Sequence, residues 1–554
     1  MDQDPTVREG APLGAQCVIS CPPSTNFAGD EGRLGPIPAP PGQRFGAHVR
    51  LGVLTEEITP ELVDEVVQHS GRTEARRRLL PARTVVYFVL ALCLFSSSDS
   101  AGPPGYLSVL RTLTEKLRHL PNLAVQRLPT SSALTRARQR LGEKPLQALF
   151  ERLCGPLATV RTPGAFAFGL RLVAWDGTVL DVPDTPANAA EFGFTGKDGL
   201  NQSGHPQVRL MALIECGTHA VVDAAFDSVA RFSEHKLARR LLASLQPGML
   251  LLADRNFAGH ALWGLVESTG CHLAWRIKKN LVLPPLWVLP DGSYVSVMPT
   301  PAETRRQGDA RYRRRPPAGL PDGHLIRIVE YTVTIHPQAG PPHTESFRLA
   351  TSLLDHRHAP AHRLASAYHQ RWEVENGFAE LKNRLRGAGF ILRSKAPELI
   401  CQEIYALLTV YQALCALEMR AADHGGIDPD RISFTVTVQL ARLTVAGQVA
   451  ADTTTLSTAH HEAVTELLAA LLRSDATGSA SASRSRPRTP SRSENGTSPA
   501  HSVASTTRSE SPDTHPDLQE HAKSPALLVR GTFCFPDRLP DSPLHVGSGA
   551  GAVT

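Results

Sequence analysis

Four side chains suited to phosphate and metal chemistry recur at a fixed spacing between residues 368 and 382. They are Tyr368, Arg371, Glu375 and Lys382. On one continuous helix with ~100° per residue, all four project within an arc of about 60°. A carboxylate flanked by two cations suits a site where the acid holds a divalent cation and the basic groups hold phosphates. The alternative is an ordinary helix face exposed to solvent. The aromatic residues Tyr368 and Trp372, which lie among the charged ones, argue against it.

Two aspartates upstream each follow a short apolar run. Asp176 closes the run 170–175 and precedes Gly177, and Asp254 closes the run 249–253. Both patterns predict a buried strand whose tip delivers a carboxylate into a turn. A single strand-end acid is often only a turn former. Together with Glu375, however, the two aspartates can hold two Mg²⁺ ions, which prefer oxygen ligands. Three other acids compete as ligands and rank below Asp176: Asp181, Asp184 and Glu234.

The pattern Tyr-x2-Arg-x3-Glu-x6-Lys, preceded by Asp-Gly-Thr and Asp-Arg-x-Phe, resembles the insertion-sequence-four (IS4) family of DDE transposases. The similarity spans about residues 44–442, and residues 76–88 resemble the N-terminal domain often attached to these enzymes. The resemblance implies an α/β fold with a ribonuclease-H-like catalytic core. It also implies dependence on Mg²⁺, for which Mn²⁺ should substitute, and cut-and-paste movement of a DNA element.

The resemblance also assigns roles to individual residues. It implies that Asp176, Asp254 and Glu375 are the catalytic and metal-binding acids. Tyr368, Arg371 and Lys382, with Arg255 beside Asp254, are then expected to contact DNA. The expected partners are double-stranded DNA of the transposon ends and of the target. A homodimer is expected on DNA because two ends must be joined, and whether a hairpin intermediate forms stays open.

Residues 44–157 are predicted to be all-helical and to bind DNA. Between Arg111 and Arg152 there are nine Lys or Arg against three Glu. Ser131 and Ser132 can cap a helix that carries Arg136, Arg138 and Arg140, and Gly142 separates it from a second helix. Two short helices joined at a glycine are compatible with a helix-turn-helix. The alternative is a basic helical hairpin packed on its neighbours.

The rest of the chain divides by composition. We expect a disordered segment over 1–43, the α/β catalytic domain over 158–450 with a β-rich insertion at about 276–350, a helix over 451–473 and a disordered tail over 474–554. Six arginines surround Tyr312 in the insertion and form either a phosphate-contacting loop or a solvated one. Trp275 and Trp287 are candidates for stacking on a base, although a core position is the more common fate of a tryptophan.

Overall composition is that of an ordinary globular protein. The 554 residues are 42% hydrophobic and 20% charged, with a net charge of +5, which alone does not indicate nucleic-acid binding. The nine scattered cysteines suit a reducing compartment and do not support a zinc site. The acidic start and the short apolar run at 85–95 predict neither a signal peptide nor a membrane span. We therefore expect a cytoplasmic, nucleoid-associated protein. Two alternatives remain: a metal-dependent nuclease without strand transfer, and an inactive DNA-binding remnant.

Overall fold

The computed structural model describes most of the chain between residues 49 and 472. The described ranges are 49–74, 80–96, 104–115, 128–196, 202–312, 321–336, 343–387, 389–447, 453–472 and 526–528. Several predicted features lie outside them: the disordered segment 1–43, part of the 76–88 motif, Arg313, Arg314 and Arg315, and nearly all of the tail 474–554.

The catalytic half of the chain is built on one large mixed sheet. The strands are β1 (Phe166–Ala167), β2 (Leu170–Asp181), β3 (Gln207–Glu215), β4 (Val221–Ser228), β5 (Met249–Ala253), β6 (His272–Arg276), β7 (Trp287–Val288), β8 (Tyr294–Pro299), β9 (Gly323–His336), β10 (His343–Thr351) and β11 (Ala526–Leu528). Along the main path the order is β4-β3-β2-β5-β6-β10-β9-β8-β7. The strands β2, β5 and β6 run parallel, whereas β3 and β4 extend the sheet as an antiparallel hairpin. The predicted α/β architecture is thereby confirmed, and β7 to β10 lie in the segment for which a β-rich insertion is predicted.

Helices flank this sheet and form the N-terminal part. They are α1 (Pro60–His69), α2 (Ala82–Leu94), α3 (Tyr106–Thr114), α4 (Ser131–Leu141), α5 (Lys144–Leu153), α6 (Pro186–Phe192), α7 (Glu234–Ala238), α8 (His260–Glu267), α9 (Pro301–Tyr312), α10 (Ala361–His369), α11 (Trp372–Ala379), α12 (Pro397–Gly425), α13 (Phe434–Gly447) and α14 (Thr453–Ala469). A π-helical turn covers Glu380–Leu385, and 3₁₀ turns cover Gly52–Thr55, Arg239–Ser244 and Pro429–Arg431. Thr59 caps the start of α1, because its hydroxyl accepts from the backbone N–H of Leu62 at 3.2 Å.

Helix α12 is the central helix against which the N-terminal helices pack. It has 29 residues and is apolar enough by composition to cross a membrane, but 94% of its apolar window is buried inside the protein. Helices α2, α5 and α14 all pack against it. A helix that is apolar on all sides and covered by neighbouring elements is a core helix.

The contact pattern divides the chain into two compact units. The first contains Met1–Tyr331 and Phe347–Leu472, so the N-terminal helices and the α/β core belong to the same unit. The contacts therefore do not mark a domain boundary at residue 157, and that boundary stays a prediction from the sequence. The second contains Thr332–Ser346 and Arg473–Thr554. Its described tail residues are those of β11, which pair antiparallel with Thr334–His336.

Buried tryptophans fill the core beneath the carboxyl ends of the parallel strands. Trp175, Trp263 and Trp275 are fully buried, and the rings of Trp263 and Trp275 meet edge to face with centroids 5.2 Å apart. Trp275 is therefore a core residue, as the more common alternative held. Trp287 on β7 differs, since it is 49% exposed.

Candidate active site

Two neighbouring parallel strands bring Asp176 and Asp254 to the same level of the sheet. The register of β2 and β5 pairs Ala174 with Leu252. Asp176 lies two residues beyond Ala174 on β2, and Asp254 lies two residues beyond Leu252, one position after β5 ends, so both aspartates lie near the same edge of the sheet. Asp254 follows the last residue of β5, as predicted.

Asp176, however, does not end its strand. The prediction of a turn at Asp176 is wrong, because β2 continues to Asp181 and stays paired with β3 along that length. The pairing with β5 stops at Ala174, which leaves β2 open on that side from Asp176 onward. Asp176 thus lies where pairing with β5 has ended and pairing with β3 continues. Side chains of other elements can therefore approach Asp176 on the side of β5.

The signature segment is not the single helix that the spacing predicts. Helix α10 ends at His369, α11 begins at Trp372, and a π-helical turn starts at Glu380. At the junction the backbone N–H groups of Gln370 and Arg371 donate to the carbonyls of Ala367 and Tyr368, which is the tighter i to i−3 pattern. Because a tight turn and a wide turn interrupt the segment, the four side chains do not project from one regular helix. Such π-helical turns are frequent at functional sites.

Arg371 links two of the three predicted acids. Its guanidinium donates to Glu375 Oε1 at 2.8 Å and lies 3.9 Å from Asp176 Oδ2. The side chain of Arg371 is nearly buried, while those of Asp176 and Glu375 are 28% and 37% exposed. Burial raises the pKa of Asp176 to about 6, and the charges of Glu375 and Glu234 act in the same direction. The site therefore holds more negative charge than Arg371 balances.

Tyr368 is buried and holds the chain end of β5. Its hydroxyl donates to the carbonyl of Ala253 at 3.2 Å, directly before Asp254. Burial raises the pKa of Tyr368, so the phenol stays neutral. The predicted contact of Tyr368 with DNA would require this buried hydroxyl to give up its hydrogen bond to Ala253. We infer a positioning role instead.

Lys382 reaches the strand that carries the first aspartate. Its ammonium donates to the Thr178 hydroxyl at 3.0 Å, two residues beyond Asp176 on the same face of β2. Burial lowers the pKa of Lys382, and the nearby Arg386 adds to this effect. The structure thus brings Lys382 to the same strand as Asp176.

Glu234 lies closer to the site than its low rank predicts. It is the first residue of α7, and a Cβ atom built on Gly177 would lie 2.6 Å from its Cγ. Its carboxylate also pairs with Arg209 at 3.2 Å. Nothing in the local pattern around Glu234 relates it to Asp176, because the contact arises only from the packing of α7 on β2 and β3.

The three predicted DNA-binding arginines of α4 have different fates. Arg136 and Arg140 are exposed, as is Arg255 after β5. Arg138 is fully buried, so the prediction that it contacts DNA is wrong. Its guanidinium donates to Gln402 Oε1 at 2.8 Å, Ser394 Oγ at 3.0 Å and the Leu399 carbonyl at 3.1 Å, and it also contacts the Tyr106 hydroxyl. Arg138 therefore joins α4 to α12, which is the packed-hairpin alternative at that position.

The β-rich insertion anchors the start of α10. Fully buried Arg327 on β9 donates to Asp291 Oδ2 at 2.5 Å, and the same oxygen accepts from the backbone N–H of Ala361 at 2.9 Å. Arg327 also donates to the Ala359 carbonyl at 2.6 Å. The insertion thereby fixes the helix that carries Tyr368. The first arginines near Tyr312 lie on α9 rather than in a loop, and Arg306 pairs with Glu303 at 2.6 Å.

A second polar group lies on the other side of α11. His219, Glu373 and Asp430 place potential metal-ligand atoms within 4.8 Å of one another. Because Glu373 and Glu375 are two positions apart on the helix, they point to different sides. This group is separate from the three predicted acids, and no motif in the sequence indicated it.

Comparisons with known proteins identify the family. Residues 48–151 match the model of the insertion element 4 transposase N-terminal family, and residues 167–412 match the transposase DDE domain. The chain is 27% identical over 393 residues to the transposase InsG for insertion sequence element IS4 of Escherichia coli K12, an alignment that covers 69% of this chain and 80% of that protein. A cryo-EM structure of a piggyBac transposase synaptic complex with hairpin DNA aligns with a TM-score of 0.35 and 9% identity, over 77% of this chain and 86% of that one.

The two matched segments follow one another in the order expected of an insertion-sequence transposase, and together they span well over half of the chain. The family implies an enzyme that acts on DNA with a divalent metal ion. The chain belongs to the IS4 family of DDE transposases.

Proposed function

We propose that this transposase cuts and joins DNA strands at Asp176, Asp254 and Glu375, by a cut-and-paste mechanism that depends on Mg²⁺ and accepts Mn²⁺. One observation supports this proposal above the others: β2 and β5 are parallel neighbours whose ends carry the two aspartates toward the same edge of the sheet, and Arg371 lies between the first of them and Glu375. The strand order β4-β3-β2-β5-β6, antiparallel on one side and parallel on the other, supports a ribonuclease-H-like core.

The donor atoms fit a hard divalent cation. All three acids offer carboxylate oxygens, the ligands that Mg²⁺ prefers. Burial and neighbouring carboxylates raise the pKa of Asp176, so the site gains from an added positive charge. When bound, the cation would polarise the scissile phosphate and activate the attacking water or 3′-hydroxyl.

The remaining residues of the site hold its backbone in place and balance its charge. Tyr368 fixes the backbone before Asp254, so that the carboxylate direction is set by a buried hydrogen bond. Arg371 already lies between two carboxylates, and its planar guanidinium suits a phosphate oxygen equally well. Lys382 adds a point charge beside the same strand. The negative charge that develops on the phosphate would therefore be shared with groups fixed in advance.

Exposed arginines support DNA as the substrate surface. Arg136 and Arg140 on α4 and Arg255 beside Asp254 are free to meet phosphates. We propose that the ends of the element and the target duplex are both bound as double-stranded DNA by a homodimer that forms on DNA. The protein would act in the cytoplasm at the nucleoid.

A cleavage assay with paired substitutions tests the proposal. A supercoiled donor plasmid that carries the element ends is incubated with Mg²⁺ and the unaltered enzyme, Asp254→Asn, or Asp184→Asn. We expect Asp254→Asn to lose cleavage while it retains end binding in a gel-shift assay. Asp184→Asn is the matched control, because Asp184 is an exposed acid outside the three-carboxylate group. Cleavage by Asp254→Asn at the rate of the control would overturn the assignment.

Two other outcomes would identify the alternatives. Cleaved ends without any joined product would indicate a nuclease that lacks strand transfer. Binding of ends without cleavage by the unaltered enzyme, in Mg²⁺ or Mn²⁺, would indicate an inactive DNA-binding remnant.

A further inference from the structure

His219 occupies an unusual position in the turn between β3 and β4. Its φ angle is 56°, in the left-handed region that residues with a side chain rarely adopt. Such a conformation costs free energy and persists only where the surroundings hold it. The imidazole is nearly buried and faces acidic side chains from α11, from the π-turn and from the 3₁₀ turn Pro429–Arg431.

The two ring nitrogens of His219 have different kinds of neighbours. Nε2 lies 2.7 Å from Glu373 Oε2 and 3.9 Å from Asp430 Oδ1. Nδ1 lies 3.1 Å from Glu380 Oε2, which also accepts from the Tyr411 hydroxyl at 3.1 Å. One nitrogen thus faces two carboxylates that can converge on an ion, while the other bonds to a carboxylate fixed by a tyrosine. Histidines that bind metals commonly donate their second N–H to a carboxylate in this way.

The cluster also holds an excess of negative charge. Glu373, Glu380 and Asp430 surround a single imidazole, which carries at most one positive charge. Arg384 lies 3.9 Å from Glu380 and is half exposed, so water screens its charge. A divalent ion between Nε2 and the two carboxylates would supply the missing charge. The exposed side of Asp430, 48% accessible, would provide the entry path.

We propose that His219, Glu373 and Asp430 bind a divalent transition-metal ion of the Zn²⁺ type, at a site separate from Asp176, Asp254 and Glu375. An imidazole nitrogen favours Zn²⁺ over Mg²⁺, which takes oxygen ligands almost exclusively. The ion would join the β3–β4 turn, α11 and the turn Pro429–Arg431. Because Glu373 precedes Glu375 by two residues, the site would brace the helix that carries the third acid. This inference goes beyond the proposed cleavage chemistry and does not depend on it.

Close packing supports this bracing role. A Cβ atom on Gly377 of α11 would lie 3.1 Å from the Tyr411 hydroxyl and 3.7 Å from His219 Cβ. The absence of a side chain at Gly377 thus lets α11 approach the turn and α12 closely enough for Glu373 and Glu380 to reach His219.

Metal binding by the full-length chain tests the proposal. Asp176→Asn/Asp254→Asn serves as the parent, so that the catalytic carboxylates contribute little to binding. The protein is stripped with a chelator and titrated with Zn²⁺ in excess Mg²⁺ against a competing chelator. Bound zinc is counted by mass spectrometry after desalting, and Co²⁺ is used to record visible absorption bands. We expect one bound Zn²⁺ per chain from this site, and Co²⁺ bands that report a nitrogen ligand.

Four further substitutions in the parent, one of them a control, locate the ion. Asp430→Asn removes a half-exposed ligand and should weaken Zn²⁺ binding at least tenfold, whereas Glu380→Gln should weaken it about 10- to 100-fold through the imidazole. Asp423→Asn, an exposed acid on α12, is the control and should bind as the parent does. His219→Gln should remove the Co²⁺ bands. Equal Zn²⁺ affinity in Asp430→Asn and Asp423→Asn, or a folded parent that retains no zinc, would overturn the proposal.

Discussion

The polar clusters on the two sides of α11 differ in how exposed and how fully hydrogen-bonded their side chains are. On one side, Glu375 and Asp176 share Arg371 and remain partly exposed. On the other, His219 is enclosed by Glu373 and Glu380, each of which accepts a further hydrogen bond from another residue. The first cluster is left incomplete and open, as a site that must admit DNA has to be. The second is closed by its own hydrogen bonds and can serve to hold elements together.

The pKa values of Asp176 and His219 are both raised, with opposite effects on the charge of the two groups. Burial raises the pKa of Asp176 to about 6, which favours a neutral carboxyl in the absence of a cation. Burial alone would lower the pKa of His219, but Glu380 and the hydrogen bonds with Glu373 and Glu380 outweigh it and raise the pKa well above its ordinary value. An added cation would stabilise the ionised carboxyl of Asp176, whereas without a bound metal ion the carboxylates around His219 stabilise its protonated imidazole. The same substitution made on each side can separate an effect on DNA cleavage from an effect on stability.

The largest contrast is expected between Glu375→Gln and Glu373→Gln, the same change on the two sides of α11. Loss of a metal ligand removes several kcal/mol of transition-state stabilisation, so Glu375→Gln should slow end cleavage roughly 10³-fold or more. Glu373→Gln leaves His219 without its closest partner and should lower the free energy of unfolding by about 2 kcal/mol. Its cleavage rate should stay within about tenfold of the unaltered enzyme below the unfolding temperature.

Cleavage kinetics and chemical denaturation on the same preparations measure both effects. A Glu373→Gln variant that is fully stable but inactive would reverse the assignment of the two sides.

A second contrast concerns two arginines two positions apart on α4. Arg138 is buried and bonded to four groups, so Arg138→Met should cost about 3–5 kcal/mol of stability by leaving those acceptors unpaired. Arg136 is exposed, and Arg136→Met should change stability by less than about 0.5 kcal/mol. If Arg136 meets a phosphate, its loss should also reduce the salt dependence of end binding by about one unit of slope. Thermal unfolding and gel shifts over a range of salt concentrations measure the two effects.

Elements set by local pattern could be predicted from the sequence, and so could the acids at their ends. The apolar run 249–253 before Asp254 is a local pattern, and it forms β5 as predicted. The apolar run before Asp176 does form a strand, but the strand continues past the aspartate, because the pairing of β2 with β3 overrides the turn tendency of Asp-Gly. The spacing of the signature residues did not predict the helix break after His369, next to which the Tyr368 hydroxyl bonds to the carbonyl of Ala253 at the end of β5.

What the sequence could not predict depends on contacts between distant segments. The burial of Arg138 requires Gln402 and Ser394, which lie far away in the chain. The cluster around His219 draws its acids from α11, the π-turn and a 3₁₀ turn, and no spacing relates them. In the sequence, His219 stands in a short polar turn and carries no signal of its own. The sequence alone therefore does not show whether a given arginine or histidine is exposed to solvent or buried among distant segments.

A third prediction contrasts the stability and the activity effects of Asp176→Asn. The folded-state pKa of Asp176 is raised above its ordinary value of 3.8. Ionisation of Asp176 therefore destabilises the fold, and the cost develops as pH rises from about 4 to about 6 and is complete above that range. In chelator at about pH 7.5, Asp176→Asn should be about 1–3 kcal/mol more stable than the unaltered protein, with the difference shrinking toward pH 4.5.

Denaturation at several pH values measures this difference, and the same variant should lose cleavage. A variant less stable than the unaltered protein at every pH would show that Asp176 is a structural partner of Arg371 rather than an open ligand.

The smallest effect is expected for Tyr368→Phe, which removes one buried hydrogen bond at the catalytic side. Loss of the bond to the Ala253 carbonyl should cost about 0.5–1.5 kcal/mol of stability. Tyr87→Phe is the matched control, because its buried hydroxyl donates to the Ile58 carbonyl at 2.8 Å, away from the three acids. Both variants should lose similar stability, but only Tyr368→Phe should also slow cleavage, by less than about tenfold, since the freed carbonyl precedes Asp254. Reduced end binding with an unchanged cleavage rate at saturating DNA would instead make Tyr368 a DNA contact, and the hydrogen bond to Ala253 would then be exchanged on binding.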